Sequence, residues 1–470
     1  MFKKLLFVIT FFLSVSTFGQ LLPYTHYTER SRDKSDTTSL QHFFRSGEFY
    51  GHLRYFFMTT DNESGLSDYY ANAFGMGIGY ETPKFKGFQF GLSGFFIYNV
   101  YSTDFTVADP KTGQFSRYEL GQFDVLDPGN TADMDRLEDL YLKYNYRKSF
   151  IKFGKQHIKT PFINPQDGRM RPTLADGLMV ELNEVKNIKI EGGWLYKISP
   201  RSTVDWFEIG ESIGVYPTGL NPDGSRSGYS GNVHSKAVYY GGITASISKN
   251  MKIQLWNFHI ENVLNSTLLQ ANTSFKLFGK NRLVLAGQYI EQHAVNNGGN
   301  DDISKTYVTP GNIARTFGAR VGIAENDNWS LLFNYNRITK DGRYLMPREW
   351  GRDPFFTFMA RERNEGYADV HAANIVLAKT FNKSGWKTEA GYGRYYLPDV
   401  SNTAFNKYAM PSYWQTNIDV RYIFSGFLNG LEMQLLYLYK GQIQHDKLDE
   451  RLVINKVNMS QINFVINFHF

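Results

Sequence analysis

The chain has 470 residues, with 51 Lys and Arg against 45 Asp and Glu, no cysteine, 31 Tyr, 38 Phe, 42 Gly and only 15 Pro. Zero cysteine excludes a disulfide framework, a thiolate metal centre and a thiol nucleophile, and a net charge of +6 spread without a basic block excludes a nucleic-acid footprint. Aromatics at 16% with a mean hydropathy of −0.39 suit tilted strands that show one face to lipid and the other to water.

Residues 1–19 read as a cleaved signal peptide. Lys3 and Lys4 precede an apolar run over 5–13, and the small residues Thr17 and Gly19 follow. That run is too short to cross a hydrocarbon core of about 30 Å as a helix, and no later stretch approaches the roughly 20 apolar residues a spanning helix needs. Membrane residence therefore falls to strands. Residues 20–46 are polar and aperiodic, with Arg30, Arg32, Asp33, Lys34 and Asp36 close together, and are expected to form a periplasmic arm.

Alternation begins at Gly47, where Phe49, Leu53, Tyr55 and Phe57 face one way and Glu48, Tyr50, His52 and Arg54 the other. In the next strand, 70–80, Gly75, Gly77 and Gly79 lie within the alternation. A nucleotide loop would need its glycines at a strand-to-helix turn, so small inward residues in a crowded interior are the better reading. A strand over 88–98 leads into a polar excursion over 102–135. The hairpin 137–146 and 150–156 turns tightly at Arg147 and Lys148. A charged loop over 158–176 follows, then strands 178–183 and 188–196 and a Gly/Pro/Ser-rich loop over about 197–233.

Hairpins 237–247 with 251–258 and 267–277 with 283–292 precede a loop over 293–310. Strands 313–323 and 329–338 lead to a loop over 340–368 that holds Arg343, Arg348, Arg352, Arg361 and Arg363. Strands 371–381, 386–397, 414–424 and 431–441 follow, and the last, 457–470, alternates to an aromatic end at Phe470. Short and long connections alternate, as short periplasmic turns and long external loops do in outer-membrane barrels. The expectation is an all-β transmembrane antiparallel barrel over 47–470 with about 18 strands, or 16 if two weak segments are not strands.

Period two fixes the faces. With aromatic and aliphatic positions toward lipid, the inward set includes Arg54, Lys143, Lys152, Lys189, Glu191, Arg320, Asp419 and Arg421. In the opposite register each Lys or Arg near midplane costs about 2–4 kcal/mol. Five or more such penalties exceed ordinary folding stability. A soluble sandwich also alternates, but it buries its large apolar face in a core. Here the leader and the terminal phenylalanine favour lipid on that face.

At 160–181 the chain resembles the OprD family of outer-membrane porins, whose third external loop carries Thr160, Pro161, Asp167, Arg169, Pro172, Gly177 and Glu181 at this spacing. Asn164, Pro165, Gln166 and Gly168 depart from the family's usual residues, and Arg171 stands where an aliphatic residue is usual. The resemblance implies a channel in the bacterial outer membrane, narrowed by inward loops, for small hydrophilic solutes such as carboxylate-bearing amino acids. Arg169 and Arg171, with Lys143, Lys152 and Arg320, are expected to attract the carboxylate, while Asp167, Asp176 and Glu181 anchor the loop or meet an ammonium group. The terminal Phe470 resembles the signal read by barrel-assembly machinery. Lipid and lipopolysaccharide are the expected surroundings, a monomer or trimer the expected state, and no cofactor or metal is implied.

Two other classes of outer-membrane barrel are compatible with a strand pattern of this kind. None of the ten histidines lies in a His-Glu-x-x-His or Gly-x-Ser-x-Gly context, so an outer-membrane enzyme has no motif. A structural or adhesin-type barrel remains the alternative function.

Overall fold

The computed structural model describes residues 39–166, 168–325, 328–382 and 384–470. The signal-peptide reading, most of the arm and Asp167 lie outside them. Of the arm, Leu40–Arg45 forms a short helix whose N-cap, Ser39, accepts a hydrogen bond from the His42 amide.

Eighteen strands follow in antiparallel sequence. They are β1 (Glu48–Asp61), β2 (Tyr69–Glu81), β3 (Phe88–Ser102), β4 (Met134–Tyr146), β5 (Ser149–His157), β6 (Leu174–Leu182), β7 (Ile188–Ser199), β8 (Val238–Ser248) and β9 (Met251–Ile260). The second half comprises β10 (Leu264–Lys276), β11 (Arg282–Ala294), β12 (Ile313–Glu325), β13 (Trp329–Ile338), β14 (Val370–Phe381), β15 (Trp386–Tyr396), β16 (Tyr413–Ile423), β17 (Leu431–Gln442) and β18 (Met459–His469). A two-residue strand, Phe207–Glu208, also pairs with β7. Each barrel strand bonds to the next, and β1 pairs with β18 from His52 opposite His469 to Asp61 opposite Ser460. Closure leaves no free edge, so all the backbone within a bilayer is satisfied.

The outer face is a band of exposed apolar side chains. In β2, Phe74, Met76 and Ile78 point out while Ala73, Gly75 and Gly77 are buried. Gly75 and Gly77 are small because Phe95 of β3 lies across them: a Cβ at either would come within about 2.5 Å of its ring. The glycine alternation thus serves the interior, as the sequence suggests, and it creates a seat for one inward phenylalanine.

The strand expected at 178 starts four residues earlier, at Leu174, so the preceding loop spans only 158–173. Asp176 and Gly177 therefore belong to β6. A bulge there sets Asp176 opposite Lys197 and Gly177 opposite Leu195, leaving Tyr196 as the extra residue. Its hydroxyl donates to Asp176 Oδ1 at 2.6 Å.

Long connections fold into the lumen, 103–133, 158–173 and 339–369 among them. The clearest, 339–369, runs along the inner wall, and side chains from successive strands bind its carbonyls. Gln292 and Gln288 of β11 donate to the carbonyls of Leu345 (2.7 Å) and Pro354 (2.9 Å). Asn374 of β14 and Tyr395 of β15 donate to that of Thr357, Gln415 of β16 to that of Ala360 and Lys440 of β17 to that of Arg361. The outer half of the barrel is filled by a core of these loops, in which Phe162, Tyr344, Trp350 and Phe355 pack with Phe258 and Ile338 of the wall.

Candidate constriction site

The loop 158–173 turns on Thr160, whose Oγ1 accepts from the Ile163 amide at 2.9 Å, next to Pro161. Phe162 then packs on Phe258 of β9, ring centroids 5.5 Å apart. Asn164 ties this loop to 339–369: its amide donates to the Trp350 carbonyl and its Oδ1 accepts from the Arg352 amide, both at 3.1 Å. Thr173 Oγ1 donates to the Glu349 carbonyl at 2.7 Å, and Arg201 Nη2 to that of Arg348 at 2.6 Å. The two loops form one inward shelf.

One end of that shelf is fixed by Arg171. Its guanidinium pairs with Glu138 of β4 and lies 3.6 Å from the centre of the Phe95 ring. Arg136 pairs with the same Glu138 at 3.1 Å and donates to the Pro172 carbonyl at 2.8 Å. Glu138 reaches inward because of a bulge: Ser93 faces Asp139 and Gly94 faces Leu137, which leaves Glu138 as the extra residue. All three charged groups are buried, a geometry that holds only while each keeps its partner.

Arg169 takes the other direction. With Gly168 it borders a small gap whose further lining includes Arg54 and Phe56 of β1, Gln434 of β17, Asn463 of β18, and Arg361. Gly121 lets its guanidinium lie against the 103–133 loop, since a Cβ there would sit 3.2 Å from Arg169 Cζ. Arg54 donates to Asn467 Oδ1 at 3.1 Å; Arg361 donates to Gln461 Oε1 at 2.9 Å and Asn463 Oδ1 at 2.7 Å. Arg361 has a φ of 66°, a left-handed backbone that a non-glycine residue adopts at a cost. The wall amides and the Lys440 bond to its carbonyl hold it there. Near Arg169 is Glu119, which accepts from Thr60 Oγ1 and Ser116 Oγ; burial pushes its carboxyl above the ordinary range.

The other charges named from sequence are distributed along the lumen. Lys143 and Lys152 face each other across β4 and β5, over the rings of Phe150 (4.4 Å) and Tyr141 (3.6 Å). Asp176 accepts from Lys155 at 3.1 Å as well as from Tyr196, which makes it a bracing group. Glu181 and Glu191 both pair with Lys189 at 2.9 Å, close to the tight turn between β6 and β7 and away from the shelf. Arg320 donates to Asn334 Oδ1 at 2.5 Å and lies over Phe356. Asp419 holds Arg421 through two bonds of 2.9 Å. The gap thus gathers Arg54 and Arg169 but not Arg171. It adds Arg361, whose role the sequence signalled only through the arginine density of its loop.

A closed, lipid-facing barrel with a charged lumen and an inward shelf is the architecture of an outer-membrane channel. The family profile described as outer membrane porin, OprD family, matches residues 127–395. The chain belongs to that family, whose members are outer-membrane channels and not enzymes, and it resides in the bacterial outer membrane. Among solved structures it resembles Pseudomonas aeruginosa OccK9 (OpdG), with a TM-score of 0.70 and 15% identity over 91% of this chain and 99% of that one. It also resembles P. aeruginosa OpdK, solved with vanillate (TM-score 0.69, 14% identity, 91% and 99% covered), and Acinetobacter baumannii OccAB4 (0.67, 15%, 90% and 98%). No curated protein sequence matches the chain.

Proposed function

We propose that this porin gives passive, partly selective diffusion of small hydrophilic solutes and favours those that bear a carboxylate, such as amino acids. The observation that carries this reading is the gathering of Arg54, Arg169 and Arg361 around one gap between the shelf and the wall of β17, β18 and β1. The gap itself holds only about 10 Å³, so a carboxylate meets these groups at its edge, where guanidinium groups replace lost hydration with N–H donors. Arg54 donates to the amide oxygen of Asn467, and Arg361 is positioned at the gap by Gln461 and Asn463. Lys143, Lys152 and Arg320 add weaker stations elsewhere in the lumen, and several moderate sites permit exit where one tight site would trap the solute. Phe470 serves assembly in this reading.

The test is reversal potential in planar bilayers under a salt gradient. Replacing Arg169 with Ala and Arg361 with Gln together is expected to move the anion-to-cation permeability ratio several-fold toward cations. An unchanged ratio overturns the proposal. Absence of solute flux in proteoliposomes would instead establish the structural or adhesin-type alternative.

A further inference from the structure

The lipid-facing wall carries arginines at the external end of β12, β13 and β15. Two of them hold carboxylates of their own chain: Arg315 of β12 meets Glu291 at 3.0 Å and Asp341 at 3.1 Å, and Arg337 of β13 meets Asp369. Arg394 of β15 also points outward and is exposed, yet among the described residues it meets no carboxylate. Its guanidinium lies 5.4 Å from the centre of the Tyr396 ring.

The register builds a notch around this arginine. Ala373 of β14 lies directly opposite Arg394 on one side, and Trp414 of β16 on the other. The small alanine leaves room that His371 and Tyr396 border above and Ile375 and Tyr392 border below, each pair matched across β14 and β15 and exposed. The Tyr335 hydroxyl holds Nδ1 of His371 at 2.7 Å, so its Nε2 can donate to a partner outside the chain. The Trp414 ring centre lies 6.1 Å from that of Tyr392 and 5.2 Å from that of Tyr439, which closes the far side with apolar surface. A rise of about 3.3 Å per residue at a tilt of about 40° puts Arg394 roughly 20 Å above Trp386, the first residue of β15 at the periplasmic end. That is near the upper edge of an apolar band about 25 Å tall.

At the edge of the hydrocarbon a cation gains from any anion that reaches it, and a charge-assisted hydrogen bond is roughly twice as strong as a neutral one. Arg315 and Arg337 take their anions from the protein; for Arg394 the membrane is the remaining source. We propose that this notch binds a phosphate of the outer-leaflet glycolipid. Arg394 and Nε2 of His371 donate to the phosphate oxygens, Tyr396 borders the sugar, and an acyl chain runs down over Ile375 and Tyr392. The inference rests on the outer-membrane location and is independent of which solutes the channel prefers.

Native mass spectrometry of the full chain in detergent, titrated with lipid A bearing both phosphates, tests it. Arg394 is exposed, so its variants are expected to fold, and Arg394→Glu and Arg394→Lys are read beside Arg394→Ala so that one misfolded barrel leaves the test in place. Binding of lipid A that Arg394→Ala weakens about tenfold, as loss of a charged hydrogen bond implies, supports the site. Arg394→Glu should weaken it further and Arg394→Lys less, while Arg315→Gln, which removes an arginine already matched by its own carboxylates, should leave it unchanged. Absence of lipid A binding, or equal affinity in the wild type and Arg394→Ala, overturns the proposal. Equal affinity for lipid A stripped of both phosphates overturns the role of phosphate, and phosphatidylglycerol bound as tightly as lipid A overturns the assignment to a glycolipid.

Discussion

Glu138 owes its function to one extra residue in a strand. Strict alternation carried back from the exposed Leu140 would place it on the lipid side, where a carboxylate has no partner. The bulge opposite Ser93 and Gly94 turns it inward to hold Arg136 and Arg171. Period-two reading finds Arg54, Lys152 and Arg320 because their strands are regular at those points. It cannot find Glu138, because a bulge has no signature in hydropathy alone. Removing one member of a buried charge cluster costs about 3–5 kcal/mol, mostly because the others stay buried unpaired. Glu138→Ala is therefore expected to lower the thermal melt of the folded barrel and expose 168–173 to protease, with Glu138→Asp restoring part of the loss. Equal melting and protease resistance in the Ala variant would show that Arg171 is held by something else.

The loop 339–369 is an element in its own right. Its arginine density was visible in sequence, but its path was not, since that path is set by wall amides such as Gln292, Asn374 and Gln415 that look like ordinary lumen residues. Its outer end carries one titrating group, Glu365, and packs against another, Lys407. Glu365 accepts from the Tyr408 hydroxyl at 3.1 Å and faces Arg348 at 3.8 Å, with Lys407, Asp353 and Glu349 also near. Burial pushes Glu365 from 4.5 up to about 7, so the packed loop binds more protons than the free one between those values and loses stability as pH rises through them. Lys407 moves the other way, from 10.5 down to about 8, so stability returns as pH rises from about 8 toward 10.5. Hydrogen exchange in 339–369 is expected to be fastest near pH 7–8, after correction for intrinsic rates. Glu365→Gln should flatten the acid side. A monotonic profile in the wild type would refute this.

For the whole molecule, the strand number, the faces and the closing strand were legible because a barrel repeats one simple rule some eighteen times, and errors of a few residues do not change topology. The loops were not, because their contacts join residues more than a hundred positions apart, such as Asn164 with Arg352. Closure also rests on a local fit: the Phe470 ring lies where a Cβ on Gly51 would be, 2.2 Å from Cζ, and the Gly51 amide donates to the Phe470 carbonyl at 2.9 Å. Gly51→Val is expected to displace that ring and lower the yield of heat-resistant barrel, while Gly241→Ala, at a glycine with open space around it, should not. Excising 345–363 is expected to raise single-channel conductance several-fold, since it removes much of the shelf; equal conductance would place the narrowest point elsewhere. The ladder that fixes this segment draws on strands from β11 to β18, the last of which also meets β1. Gln461 and Asn463, which seat Arg361, lie on the strand that closes the barrel. A barrel whose first and last strands part therefore loses its seal and the anchor of its narrowing together.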